Sequence, residues 1–300
     1  MRLSPRTALV SPCRPPPRGA RPLLEATGMT DAHTATTPAH TPAKADLVDI
    51  SKEDLDAYGW EPAAVVGSAQ WAGTCCRPDL TVISSVLGSE RHDPSVAGMK
   101  NMERMLRYIA GTVDLPMTYH KHEEHLRARR DVILRAYTDS DWAGDTKVSK
   151  KPESRSRGGY LIQLHGNTVH WSSKLRTIGG SDDGEHEVDL SSTSAEVGTL
   201  SEATRRVIWL QRTLRSAGFN VPPVTIYVDN QAAIRIAQNQ TISERTRHMH
   251  NKDLFVRKFV RSGDIILKDI RTGDNLADFF TKILALGPFR KHRDSIMGIK

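Results

Sequence analysis

Residues 131–139, DVILRAYTD, set an apolar run against a terminal acid, the pattern of a buried strand that delivers a carboxylate to its end. Two more runs follow, GGYLIQLHG at 158–166 and NTVHWSSK at 167–174, with Gly166-Asn167 as the hairpin turn between them. Three antiparallel strands are expected. From Ser194 to Ala217 the residues Ala195, Leu200, Ala203, Val207, Leu210 and Leu214 recur at helical spacing, with Gly218 as the stop. Thr225–Asp229 predicts a fourth strand feeding a helix over NQAAIRIAQNQ, a further helix covers about 243–261, a fifth strand 265–270, and a last helix 276–284. The outcome is a mixed α/β sheet with helices on its faces.

Working outward, Val96, Met99, Met102, Met105, Leu106 and Ile109 form one face of a helix over about 94–110, read as core rather than a cofactor box. Residues 121–130 are dense in charge without apolar spacing, which places a domain boundary near 130. Residues 1–45 are rich in Pro and Arg without periodicity and read as a disordered tail, with an organellar transit peptide as the alternative. The division expected is a tail (1–45), a small helical segment (46–130), the α/β domain (131–285) and a C-terminal helix or tail (286–300).

A net charge of +7 in 300 residues favours a polyanionic partner, although five of the arginines lie in the first 22 residues. Three cysteines without CxxC spacing exclude a disulfide scaffold and a zinc finger, and fit an intracellular setting, cytoplasmic or nuclear. No apolar run is long enough to span a bilayer.

Four acids stand at the ends of strands or on helices: Asp139, Glu196, Asp229 and Asp278. Carboxylate oxygens are natural ligands of Mg²⁺, and a pair of such ions clamps the attacking and leaving oxygens of a phosphodiester. Local chemistry leaves a second reading open for each. Asp229 before NQAAI suits a helix cap, Glu196 suits a first-turn dipole partner, and Asp141 rivals Asp139 because alternate strand residues face the same side.

Six segments in order, YTDSDWAGD, SRGGYLIQLHGNTVHWSSK, SSTSAEVGTLSEATRRVIWLQRTL, YVDNQAAI, RTRHMHNKDLFVRKFV and NLADFFTK, resemble the ribonuclease H domain of copia-like retrotransposon polyproteins over about 132–285. The stretch VVGSAQWAGTCCRPDLTVISSVLGSERHDPSVAGMKNMERMLRYIAGTVDLPMTYHK is similar to the end of their reverse transcriptase region, which makes the chain resemble a C-terminal fragment. The resemblance implies a ribonuclease H-like five-stranded sheet, with Asp139, Glu196, Asp229 and Asp278 as ligands of two Mg²⁺ ions, Mn²⁺ being the alternative. It also implies cleavage of the RNA strand of RNA:DNA hybrids, leaving 5′-phosphate and 3′-hydroxyl ends. The absent polymerase region is a further expected partner. The competing reading is an inactive nucleic-acid-binding remnant.

Hybrids are recognised by backbone shape and 2′-hydroxyls, so contacts to sugar and phosphate are sought. The candidates are Asn230, Gln231, Arg247, Lys252, Arg257 and Lys258, while Trp142, Trp171 and Trp209 are expected to pack. Two departures from the family pattern stand out. KDIRTGDNLAD holds no histidine before Asp278, and GGSDDGEHEVD forms an acidic insertion containing His186.

Overall fold

Alternation along the first two strands decides how the sheet is covered. In the computed structural model, which describes residues 11–13, 20–120, 131–142, 155–176, 192–238 and 250–299, both faces of the sheet are packed. The chain order is β1 (Ser11–Cys13), α1 (Ala20–Ala26), α2 (Lys52–Ala57), α3 (Pro62–Cys75), α4 (Thr81–Gly88), α5 (Val96–Gly111) and β2 (Met117–Tyr119). It continues through β3 (Leu134–Asp141), β4 (Arg157–Leu164), β5 (Asn167–Leu175), α6 (Ser192–Ser216), β6 (Val224–Val228), α7 (Gln231–Gln238), α8 (His250–Arg261), β7 (Ile265–Asp269) and α9 (Leu286–Met297). β1 and β2 form a separate antiparallel pair.

The main sheet has the order β5-β4-β3-β6-β7. β3, β4 and β5 are antiparallel neighbours, whereas β6 lies parallel to β3 and β7 parallel to β6. The mixed five-stranded sheet flanked by helices is thus observed. The hairpin turn sits one residue earlier than expected. Leu164 pairs with Asn167, and His165 and Gly166, at φ 51° and 78°, are the central residues. A two-residue hairpin of the type I′ kind needs both central residues in the left-handed region, and here a histidine shares that role with the glycine.

On one face Leu134, Ala136, Ile162 and Ile226 pack against Leu200, Ala203 and Val207 of α6 and Phe259 of α8. On the other, Leu161 meets Met99, Met102, Phe280 and Phe289. Ile162 and Leu161 point oppositely because the side-chain period of a strand is two. The methionine face of α5 is core as expected: Met99, Met102, Met105 and Leu106 are fully buried, each worth roughly 1.5–3 kcal/mol of transfer free energy. Ser95 caps that helix by accepting from the Gly98 N–H at 2.9 Å.

The expected break near 130 does not coincide with a break in packing. The helical segment supplies the second cover of the sheet, and Trp171 of β5 donates to the Gly73 carbonyl of α3 at 2.7 Å. Nor does the disordered-tail expectation hold for 20–45, since Ala20–Ala26 is helical and Leu23, Leu24 and Ala39 are buried in this core. The final segment is also structural: α9 brings Phe289 and Ile296 to it. Short alternating apolar stretches near Pro and Arg carry too little periodicity to betray such packing. The run 276–280 is a 3-10 turn rather than an α-helix, and 121–130 lies outside the described residues.

A buried ion pair, unremarked in the RPDL run, ties the helical cover together. Arg77 forks onto Asp79, with Nε to Oδ1 at 2.9 Å and Nη2 to Oδ2 at 2.8 Å, and it also donates to the Thr112 carbonyl and hydroxyl. Tyr108 donates to Asp79 Oδ2 at 2.7 Å. Burial, and then Asp79 beside it, raise the Tyr108 phenol well above its usual range.

Candidate active site

The parallel register brings two of the acids together. Thr138 pairs with Val228, so the next residues of β3 and β6, Asp139 and Asp229, emerge side by side. Asp278 arrives from the 276–280 turn, which Asn275 anchors by accepting from Ala277 N–H at 3.1 Å and donating to the Thr138 carbonyl at 2.9 Å. A Cβ on Gly159, opposite Asp139, would meet backbone of Phe280 at 2.9 Å, so only glycine lets this turn approach the sheet. One carboxylate oxygen each of Asp139, Asp229 and Asp278 lie within 4.8 Å of one another. Glu196, in the second turn of α6, accepts from the Ser140 N–H at 3.1 Å through Oε1, while its Oε2 is buried without a partner.

Asp139, Asp229 and Asp278 therefore meet, and Glu196 stands near Asp139 and Asp229 without joining that set of mutually close oxygens. The alternatives left open in the sequence resolve differently from residue to residue. Asn230 rather than Asp229 caps α7, accepting from Ala233 N–H at 3.1 Å, and Glu196 is turned to β3 instead of the helix end. Asp141, partly exposed, does not join the cluster.

Among the remaining candidates, Gln231 and Lys258 are exposed, whereas Arg257 is buried and donates to the Ile236 carbonyl at 2.9 Å. That geometry corrects the expectation of a phosphate contact at Arg257: its guanidinium closes α8 onto the end of α7. Arg247, the Lys252 side chain and the acidic insertion with His186 lie outside the described residues. Trp171 packs as expected, but Trp142 and Trp209 are 49% and 62% exposed. Trp209 instead borders a groove of about 550 Å³ with Lys174, Arg176, Arg205 and Arg206. The basic run of α6 could have signalled it, since TRRVIWLQR places the indole among arginines. Also missed were Thr281 and Lys282, although both stand in the NLADFFTK segment. Thr281 Oγ1 donates to Asp139 Oδ2, and Lys282 Nζ lies 3.3 Å from the same oxygen and 3.0 Å from Asp278 Oδ1.

Crowded carboxylates resist ionising. Burial, then Asp139 and Asp229, push Glu196 up to about 8. Burial and then Asp139 push Asp278 up to about 7, and the same two causes raise Asp229. Lys282 is shifted up as well, which for an amine favours the charged form: burial opposes its charge, but Asp139 and Asp278 more than offset it and hold the ammonium protonated.

A measurable slope follows. Between the ordinary carboxylate range and pH 7–8 the folded state keeps protons that the unfolded chain has lost, so the unfolding free energy falls as pH rises. In EDTA, stability is expected to decline from pH 5 to pH 8, by up to about 1.4 kcal/mol per pH unit for each such group. Thermal melts across that range check it, and a flat or rising profile would contradict the crowding.

The donor set is all oxygen, and the orphaned Glu196 Oε2 lacks the positive partner that a buried carboxylate oxygen needs. Both observations fit a hard divalent cation such as Mg²⁺. Strand order 3-2-1-4-5 within the five strands, with acids at the adjoining ends of the first and fourth, defines a ribonuclease H-like fold.

Relatives narrow this further. No protein-family model matches the chain. It is 32% identical over 281 residues to the retrovirus-related Pol polyprotein from transposon RE2 of Arabidopsis thaliana, covering 93% of this chain and 17% of that protein. It is 28% identical over 270 residues to the corresponding polyprotein from transposon TNT 1-94 of Nicotiana tabacum, covering 89% and 19%. Among solved structures, LC11-RNase H1 in complex with an RNA/DNA hybrid aligns at 18% identity and a TM-score of 0.33, covering 49% of this chain and 93% of that one. The chain's homologues are copia-like Pol polyproteins of retrotransposons. It spans less than a fifth of the length of those relatives. Among the described residues, no helix is long and apolar enough to cross a membrane.

Proposed function

We propose that this chain is a ribonuclease H-type endonuclease of a copia-like element, acting inside the cell on the RNA strand of RNA:DNA hybrids. The observation that carries the reading is the meeting of Asp139, Asp229 and Asp278 from three separate segments, with Glu196 facing the same cluster. Four buried or half-buried acids in one place cost stability, and structural needs alone do not call for them. Asp139, Glu196, Asp229 and Asp278 would hold divalent ions, Mg²⁺ or Mn²⁺. When bound, they supply Lewis-acid charge at the scissile phosphate and a water of lowered pKa for attack.

The chain's own groups do the positioning. Asn275 and Gly159 fix the turn that carries Asp278, and the Ser140 N–H orients Glu196. Asn230, with its carbonyl oxygen used in the cap, retains the amide N–H₂ as a donor toward sugar or phosphate. Gln231 and Lys258 offer exposed polar contacts, and Arg247 and Lys252 remain candidates in the same basic segment. The groove beside Trp209 adds Lys174, Arg205 and Arg206 as cations for a polyanion. A second partner is the polymerase region that the longer relatives' name as Pol polyproteins implies.

The test is incubation of purified protein with an end-labelled RNA:DNA hybrid in Mg²⁺, in Mn²⁺ and in EDTA. Cleavage of the RNA strand in both metals, leaving 5′-phosphate ends and none in EDTA, is expected. Hybrid binding without cleavage in any metal would favour the inactive binding remnant instead.

A further inference from the structure

One flank of the acid cluster already holds a cation of the chain's own. Lys282 lies four residues beyond Asp278, and its Nζ sits in the gap between two carboxylates, 3.0 Å from Asp278 Oδ1 and 3.3 Å from Asp139 Oδ2. The side chain is about one-third exposed, so the ammonium is largely withdrawn from water. Thr281, next to it, donates to the same oxygen of Asp139. Asp229 and Glu196 lack such close pairing among the described residues, although the Lys282 charge also reaches Asp229. Among the described residues no ion pair reaches Asp229 or Glu196, and Glu196 Oε2 is buried without a hydrogen bond.

We propose that Lys282 is a resident monocation that takes the place of one of the two divalent ions, leaving a single divalent position on the Asp139, Asp229 and Glu196 flank. The inference rests on the reading of the cluster as a divalent-cation site. An ammonium brings three donors and one charge, enough to satisfy two facing carboxylate oxygens at hydrogen-bond distance. A Mg²⁺ ion in the same gap would need those oxygens at about 2.0–2.1 Å and several waters around it. Ammonium and ion cannot share that space, and their like charges repel. Lys282 is a positioning residue in this scheme. It keeps Asp139 and Asp278 together and leaves the unpartnered Glu196 oxygen for the ion.

The site can be counted with Mn²⁺. Titration of the purified chain followed by the electron paramagnetic resonance signal of free Mn²⁺ is expected to give one bound ion for wild type and one for Lys282→Arg. Lys282→Met and Lys282→Gln, which remove the charge, are expected to bind a second ion. Far-UV circular dichroism confirms that each variant is folded, and the two neutral variants guard against one failing to fold. In EDTA at about pH 8 the neutral variants should also melt below wild type, because the paired carboxylates lose their counter-charge. Two Mn²⁺ in wild type, or a single Mn²⁺ in both folded neutral variants, would overturn the role of Lys282 while leaving the divalent site intact. No Mn²⁺ bound by any of the proteins would remove the metal-site reading itself and this inference with it.

Discussion

Replacing Asp139 with asparagine is expected to lower Mg²⁺-dependent hybrid cleavage by about three orders of magnitude while raising the stability of the metal-free protein. Asp139 is the one acid adjacent to all the others, since Asp229, Asp278 and Glu196 are each pushed up by its charge. Loss of its anionic oxygens removes a ligand that the proposed divalent site would share across the cluster, and Lewis-acid stabilisation of a phosphoryl transition state is worth several kcal/mol. Three decades in rate correspond to about 4 kcal/mol. Asparagine has nearly the same shape and can still accept from Thr281, so the 276–281 turn keeps its anchor. In EDTA the variant should melt above wild type at pH 8 and show a shallower pH slope, because Glu196 and Asp278 then ionise with less opposition. Rates within tenfold of wild type would show that the cluster is not where the chemistry occurs.

The largest stability effect is expected far from these acids, at Asp79. Its side chain is fully buried and receives the Arg77 fork and the Tyr108 hydroxyl. Asp79→Ala strands a guanidinium that burial cannot neutralise and a phenol without its acceptor, so a loss of about 3–5 kcal/mol is expected. Chemical denaturation of wild type and variant measures it through the midpoint shift at constant slope. Replacing the pair together, Arg77→Met with Asp79→Ala, should recover part of the loss, because well-packed apolar groups often substitute for a buried ion pair at little cost. Hybrid cleavage by the folded fraction of Asp79→Ala should be close to normal. A midpoint unchanged within error would mean that the network is not the tie between the turn before α4 and the end of α5.

Much of the architecture was legible because its signals are local. The strands 134–141, 157–164 and 224–228 follow directly from apolar runs, and α6 from its 3.6-residue spacing. Ends were less legible. The hairpin turn moved by one residue because a histidine accepted a left-handed conformation usually left to Gly or Asn. The 3-10 form of 276–280 depends on Asn275 reaching across to β3, a contact 137 residues apart in the chain. Trp209 was misplaced because α8 touches Arg205 and Arg212 on either side of it while leaving the indole between them exposed, and periodicity does not say how wide a neighbouring helix's cover is.

Residue type and order alone were enough to nominate Asp139, Glu196, Asp229 and Asp278, since carboxylates at strand ends within a recognisable series of segments carry their chemistry wherever they stand. Proximity is another kind of fact. Parallel pairing of β3 with β6, the close approach permitted by Gly159, and the packing of residues 20–119 on the second sheet face arise from long-range contacts. Those contacts bury Arg257 against Ile236, leave Asp141 outside the cluster, and bring the Lys282 ammonium between two acids, placements that no spacing along the chain encodes because each depends on surfaces meeting in three dimensions.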